Sequence, residues 1–329
     1  MMIKIKQFLL VLLLSGSLQL PVFSQQPAAT QSNMEQLEIE VVPFQKEWTL
    51  GKPVYFYLKI HNKAPYQDEA GDFYNRTVFK SNLNLNSDIE LYIQYETFPP
   101  LRYALEDWSN IVNFPQVEIN IPYGRTWTFI FPICYDWKYA SGYALNLPGT
   151  YHINGVIHLR SDNDAYRTVI PTIELKVNPV SEKDQTIWRY LDYPEIAKAL
   201  STSTLESDET ARMLEDLLKR HPDSVYTVDL LYTLAYWHLT RKAYAQSLDY
   251  LNRALQLNDE AFPLEHLLYF KALALEAIGE VHQLYQVLWK LWQTNMDIYL
   301  VDSKNPLYFQ FFNLQRKSED KPAPWNLLE

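Results

Sequence analysis

The sequence predicts a β-then-α chain: an antiparallel β-sandwich followed by a set of α-helical repeats. Three observations predict it. Between Leu37 and about Asn178, apolar and polar residues alternate in short segments, the period-two signature of strands with one wet face. Turn-rich pieces such as Pro148-Gly149 and Ser161-Asp162-Asn163-Asp164 separate those segments, and no helix-period window interrupts them. After Pro179 the period lengthens to about 3.6, and Leu, Ala and charged residues replace Val, Thr and Ile.

The chain opens with a basic start at Lys4 and Lys6, an apolar core from Phe8 to Leu14, the small residues Ser15, Gly16 and Ser17, and a helix breaker at Pro21. That order is how a secretory signal peptide is built. Val22 and Ser24 place cleavage after Ser24, so residues 1–24 are expected to be removed and residues 25–36 to form a linker. A membrane anchor is the competing reading, but the apolar run is far shorter than the roughly 18 to 20 residues that span a bilayer. With no cysteine after the core, a lipid anchor is not expected. Export to the periplasm or the exterior is.

Composition narrows the class further. With 39 acidic and 29 basic residues, the chain repels phosphate backbones, which argues against nucleic acid as a partner. Cys134 is the only cysteine, so stability must come from packing without a disulfide, which favours a bacterial envelope protein.

The strands follow in order. Leu37, Ile39 and Val41 share one parity. After the turn at Gly51-Lys52, Val54, Phe56, Leu58 and Ile60 point one way, and Tyr55, Tyr57, Lys59 and His61 the other. The period returns at Ile89–Tyr95, Val117–Ile121, Trp127–Ile133, Tyr151–Leu159 and Ile173–Val177, making about seven strands over residues 37–179. Two antiparallel sheets packed face to face are expected.

Two segments carry a family likeness. Leu50-Gly51-Lys52-Pro53-Val54, leading into a strand that ends at Asn62, resembles the entry to the second strand of a bacterial immunoglobulin-like (Ig-like) domain. Leu147-Pro148-Gly149-Thr150-Tyr151 resembles the turn and tyrosine near that fold's penultimate strand. The resemblance implies an Ig-like sandwich with enlarged loops around residues 62–88, 96–116 and 134–147.

Residues 180–184 read as a hinge, and residues 185–318 as helices, the first near Gln185 to Leu200. From Val228 to Asp259, Leu231, Leu234, Ala235, His238, Ser247, Leu251 and Ala254 fall where a tetratricopeptide repeat places its signature, and Leu268, Ala272, Leu275, Gly279, Leu284, Leu288 and Leu291 repeat the pattern. This part resembles tetratricopeptide-like (TPR-like) repeats. It departs from them where His238 replaces an aromatic and Leu284 a small residue. On that resemblance the first helix of each unit lines a groove, which makes Asp229, Tyr232, Tyr236, His266, Tyr269 and Leu273 candidate partner-binding residues. The competing reading fills that groove with a closing helix from Pro306 to Gln315, carrying Phe309, Phe311 and Phe312. Residues 319–329 read as a tail.

No catalytic or cofactor motif occurs. His152 and His158 share a strand face but lie roughly 20 Å apart, too far to share an ion. The acidic turns at Asp68, Glu69, Asp72, Asp162 and Asp164 lack a calcium loop's ligand spacing and read as solvated. Cys134 reads as a buried apolar side chain in preference to a nucleophile, since no partner histidine can be named. No metal and no cofactor are expected.

Aromatic residues are in excess at 15%, with 24 Tyr and 9 Trp. Tyr55 and Tyr57 lie on a wet parity, covered by the helical part or open to a ligand. Tyr135, Trp137, Tyr139 and Tyr143 lie in a loop, where rigid rings suit a sugar face. The expectation is thus an exported non-enzymatic protein that holds a protein or peptide partner on its helices, the sandwich acting as spacer. The alternative is a glycan-binding accessory protein that uses the loop aromatics.

Overall fold

The computed structural model describes residues 37–63, 79–84, 88–103, 116–121, 124, 126–160, 165–258, 262–294, 307 and 310. The expected signal peptide and linker, the acidic turns, the tail and, apart from Leu307 and Gln310, the closing helix lie outside the described residues. Ten strands precede seven α-helices among the described residues. The strands are β1 (Leu37–Pro43), β2 (Glu47–Thr49), β3 (Val54–Asn62), β4 (Phe79–Asn84), β5 (Ile89–Tyr95), β6 (Leu101–Tyr103), β7 (Gln116–Ile121), β8 (Thr126–Ile133), β9 (Gly149–Arg160) and β10 (Ala165–Asn178). The helices are α1 (Gln185–Leu191), α2 (Pro194–Thr202), α3 (Asp208–Arg220), α4 (Thr227–Thr240), α5 (Tyr244–Leu257), α6 (Leu264–Ile278) and α7 (Val281–Gln293).

The sheets are not those of an antiparallel Ig-like sandwich. They run β1-β3-β8, β2-β10-β9-β5-β6 and β4-β7. In the five-stranded sheet β2 joins β10 in parallel, Glu47 opposite Lys176 and Thr49 opposite Asn178, so that sheet is mixed. The three residues of β2 are too few to show an alternation, so the strand leaves no periodic signal in the sequence. The long alternating segments do form antiparallel ladders: Val54 pairs with Ile133 and Ile60 with Trp127 between β3 and β8, and β9 runs against β5 and β10.

The TPR-like expectation for the helices is likewise corrected. The single helix expected from Gln185 to Leu200 is two short ones. Pro194 opens α2, and Tyr193 before it is extended at φ −138°, ψ 143°. A residue preceding proline is pushed out of the helical region, and proline itself suits the first helical turn. The later helices pack on their chain neighbours, α4 on α5, α5 on α6 and α6 on α7, while the inner side of α4 and α6 meets the strands in place of a groove.

The described residues, all from Leu37 onward, belong to one compact unit. In the segment 180–184, Ser181 caps a short 3-10 turn at Glu182–Asp184, its hydroxyl 2.7 Å from Asp184 Oδ2, and Asp184 Oδ1 accepts from the Val225 amide.

The turn between β2 and β3 plugs into the helices with three successive residues. The Leu50 carbonyl accepts from the Tyr226 hydroxyl at 2.6 Å. Gly51, at φ +83°, lies under the Trp188 ring. Lys52 pairs with Asp229 at 3.3 Å, the two side chains only 7% and 2% exposed. Farther along β3, Tyr55 meets Phe262 edge-on at 5.1 Å, and the Tyr57 hydroxyl donates to Glu265 Oε1 at 3.4 Å. These tyrosines of the expected wet face are covered by helix α6 and the residues before it.

Candidate functional site

The six residues expected to line a groove lie together but mostly inside the molecule. Asp229, Tyr232 and His266 are buried, while Tyr236, Tyr269 and Leu273 are half-buried against the core. Tyr232 is enclosed by Phe262 at 4.7 Å, Phe270 at 5.4 Å and His266 at 5.9 Å. Tyr236 and Tyr269 flank Phe270 at 5.1 and 5.5 Å. The surface expected to take a peptide is therefore an aromatic seam that the β3 strand closes through Tyr55. The physical reason is area: large aromatic side chains gain more from covering one another than from facing water.

Burial in that seam pulls the His266 pKa from 6.5 down to about 3. A histidine held neutral in the fold but free to charge when unfolded makes the unfolded chain bind more protons at every pH between those two values. Stability should therefore fall as the pH drops below 6.5, by at most about 1.4 kcal/mol per pH unit from this group. Burial raises the Glu265 pKa, which acts in the opposite sense at lower pH. Urea unfolding at pH 7 and pH 5 should show a drop in the native protein that shrinks in His266→Phe.

The other set of expected residues occupies a small hairpin between β8 and β9. Tyr135 bridges Tyr143, the Asp136 amide donates to the Gly142 carbonyl at 2.8 Å, and the Ala144 amide donates to the Cys134 carbonyl at 2.7 Å. The base of the hairpin is anchored on the helices. Tyr143 is buried and donates to the Leu191 carbonyl at 2.7 Å, and the buried Cys134 thiol lies 3.6 Å from the Ala197 carbonyl. Burial raises the pKa of both groups, which keeps the thiol in its unreactive protonated form. Tyr143 is therefore part of the joint and does not reach a ligand.

The tip of the hairpin behaves differently. Trp137 is 62% exposed, and Tyr135 and Tyr139 are half-buried at its sides. The buried Asp136 carboxylate accepts from the Lys138 amide at 3.0 Å and pairs with the Lys138 ammonium at 3.6 Å. That ammonium also donates to the Arg102 carbonyl of β6 at 2.6 Å and stands 6.0 Å from the Trp137 ring centre. The tip is thus pinned to the edge of the five-stranded sheet.

The turn from β5 to β6, four residues before Arg102, carries a second exposed group. Phe98 is also 62% exposed and stacks on Tyr95 at 5.9 Å. Tyr95 in turn leans on Tyr151 at 5.0 Å and donates to the Pro148 carbonyl at 3.0 Å. Leu101 and Leu147 are exposed on the same segments. Hydrogen bonds thus tie three segments, 95–103, 134–143 and 147–151, into an aromatic rim. Phe98 and Leu101 are not among the residues expected to form a site, and Leu147 is expected only as part of a turn, although Thr97-Phe98-Pro99-Pro100-Leu101 carries a signal. Two prolines cannot enter a ladder, so apolar residues beside them are left at a strand end.

Among the described residues, no three His, Cys, Asp or Glu side chains gather as a metal site. His152 pairs with Glu174 at 3.7 Å. No described helix is long and apolar enough to cross a membrane.

No family model and no curated protein matches this chain. Among solved structures it is similar to a β-glucosidase from Listeria innocua, at 14% identity and a TM-score of 0.23, covering 43% of this chain and 16% of that one. A β-glucosidase from Erythrobacter marinus matches at 15% identity and a TM-score of 0.23, covering 41% of this chain and 15% of that one. Spo0M, a sporulation control protein from Bacillus subtilis, matches at 9% identity and a TM-score of 0.24, covering 48% and 55%. The chain spans less than two thirds of each of these proteins. Likeness at this level carries no argument about fold or activity.

Proposed function

We propose that this chain is an exported, non-enzymatic binding protein of the bacterial envelope that holds a glycan on its aromatic rim. The observation that supports the reading most is Trp137: a large ring exposed at the tip of a hairpin that is itself pinned by Asp136, Lys138 and the Arg102 carbonyl. Exposing an indole forgoes roughly 1.5–3 kcal/mol of burial, and a rigid mount limits the entropy lost when something stacks on it. Phe98 adds a second ring, and Arg102 and Lys138 add donors at the edge, the mixture of flat apolar faces and polar groups that a sugar ring presents in complement. The helical face has less to offer a partner, because Asp229, Tyr232 and His266 are covered by the chain's own strands and aromatic seam. Export rests on the order of basic start, apolar core and small residues in the first 24 positions.

Titration with a panel of soluble oligosaccharides should shift or quench tryptophan fluorescence. Trp137→Ala should abolish the response while changing stability by no more than about 0.5 kcal/mol, as befits an exposed side chain. Phe98→Ala should weaken binding about tenfold. An unresponsive native protein across neutral and acidic glycans would count against the reading, as would a response that survives loss of Trp137.

A further inference from the structure

Tyr193 is 56% exposed, yet it stands where the hairpin meets the helices. The Leu191 carbonyl accepts from both the Tyr193 amide at 2.8 Å and the Tyr143 hydroxyl at 2.7 Å. Pro194 lies so close to Gly142 that a β-carbon on that glycine would stand 2.6 Å from the Pro194 Cα. The Gly142 carbonyl is in turn bonded to the amide of Asp136, the neighbour of Trp137. Resting on the glycan reading of Trp137, we infer that the site runs from Trp137 across this joint to Tyr193, so that its ligand is a linear chain of several sugars.

Tyr193, like Trp137, is held by its backbone. It is extended at φ −138°, ψ 143°, the region to which a residue before proline is confined, and its carbonyl accepts from the Ile196 and Ala197 amides at 3.0 and 2.9 Å as α2 begins. Its side chain is uncommitted: among the described residues no ring packs on it and nothing bonds its hydroxyl. Tyr190, also exposed, differs in having Arg220 over its ring at 5.6 Å, and Phe98 already stacks on Tyr95.

Two such rings on separate elements suit a chain better than a single sugar. The backbone path through Asp136, Gly142 and Pro194 limits the separation of the Trp137 and Tyr193 Cα atoms to about 17 Å. A short oligosaccharide covers that span, with one sugar on each ring. Both rings offer a flat apolar face, and the Tyr193 hydroxyl both donates and accepts, as sugar hydroxyls do. Once the first sugar is seated on Trp137, the second contact is intramolecular, so chain length should raise affinity.

The test titrates the full chain, by tryptophan fluorescence, with dimers and hexamers of β-1,4-linked glucose, α-1,4-linked glucose and β-1,4-linked N-acetylglucosamine. In the series that responds, the hexamer should bind at least about tenfold more tightly than the dimer. Tyr193→Ala should leave the unfolding midpoint and the dimer affinity unchanged, and should reduce the hexamer's advantage to the few-fold gain that repeated units bring by statistics. Tyr193→Phe, which keeps the ring, should retain most of that advantage. A hexamer that binds no better than the dimer overturns the inference and leaves the glycan reading of Trp137 standing, as does an advantage that survives Tyr193→Ala or is lost only in Phe98→Ala. Silence of all three series, dimers included, overturns the inference and counts against the glycan reading as well.

Discussion

Gly51→Ala is expected to lower stability by about 3 kcal/mol or more, which thermal or urea unfolding would register directly. Two costs add at this position. The backbone is left-handed at φ +83°, which strains any residue with a β-carbon. The new methyl would also fall against the Trp188 ring, 2.6 Å from Cη2 and nearer still to Cζ3. Trp188 has little room to yield, because it stacks on Tyr226 at 6.0 Å and leans on Tyr143 at 5.3 Å. Gly279 separates the two costs. It ends α6 in the same left-handed region, at φ +78°, with nothing within 4 Å of a built β-carbon. Gly279→Ala should therefore cost only about 1 kcal/mol. Equal losses at the two sites would mean that the turn does not press on Trp188.

Lys52→Met should cost about 3–5 kcal/mol, because it leaves the Asp229 carboxylate inside the molecule without its ammonium. The loss measures the broken pair and not the pair's own worth, since moving two charges out of water is itself expensive. Replacing both partners with apolar residues, Lys52→Met with Asp229→Leu, should therefore recover most of the stability. A double-mutant cycle by urea unfolding would show this as coupling of 1 kcal/mol or more, roughly. Additive losses would place the two side chains in separate environments.

Both predictions fall on one turn, and that turn shows what the sequence could and could not tell. Gly51 and Lys52 mark a chain reversal before the alternating strand from Val54, and local residue types suffice to read it. The partners Tyr226, Trp188 and Asp229 lie far along the chain, and no local period encodes them. The same limit explains β2, whose pairing with β10 is non-local. Pro194, by contrast, carried a local signal that a helix over Gln185 to Leu200 must break. Alternation placed the long strands β3, β8 and β9, because period two follows directly from one buried face. It could not say how the sheets combine, and there the Ig-like and TPR-like expectations failed.

For the sites, parity also ran out in the hairpin. Trp137 and Tyr143 look alike in a loop without period, yet one is at the tip and the other donates to Leu191 inside the joint. On α4 and α6, the tyrosines that suit a groove also suit an interior seam. The choice between the two depends on whether Tyr55 and Lys52 arrive from the strands to cover them.

The central claim is that strands and helices form one body, joined through Leu50, Gly51, Lys52 and Tyr143, so that the inner helical face is spent on packing. Scanning calorimetry of the full chain tests it most directly. A single transition, with calorimetric and van't Hoff enthalpies equal and with one shift of the whole transition in Gly51→Ala, is the predicted result. Two separate transitions, only one of which moves in that variant, would contradict it.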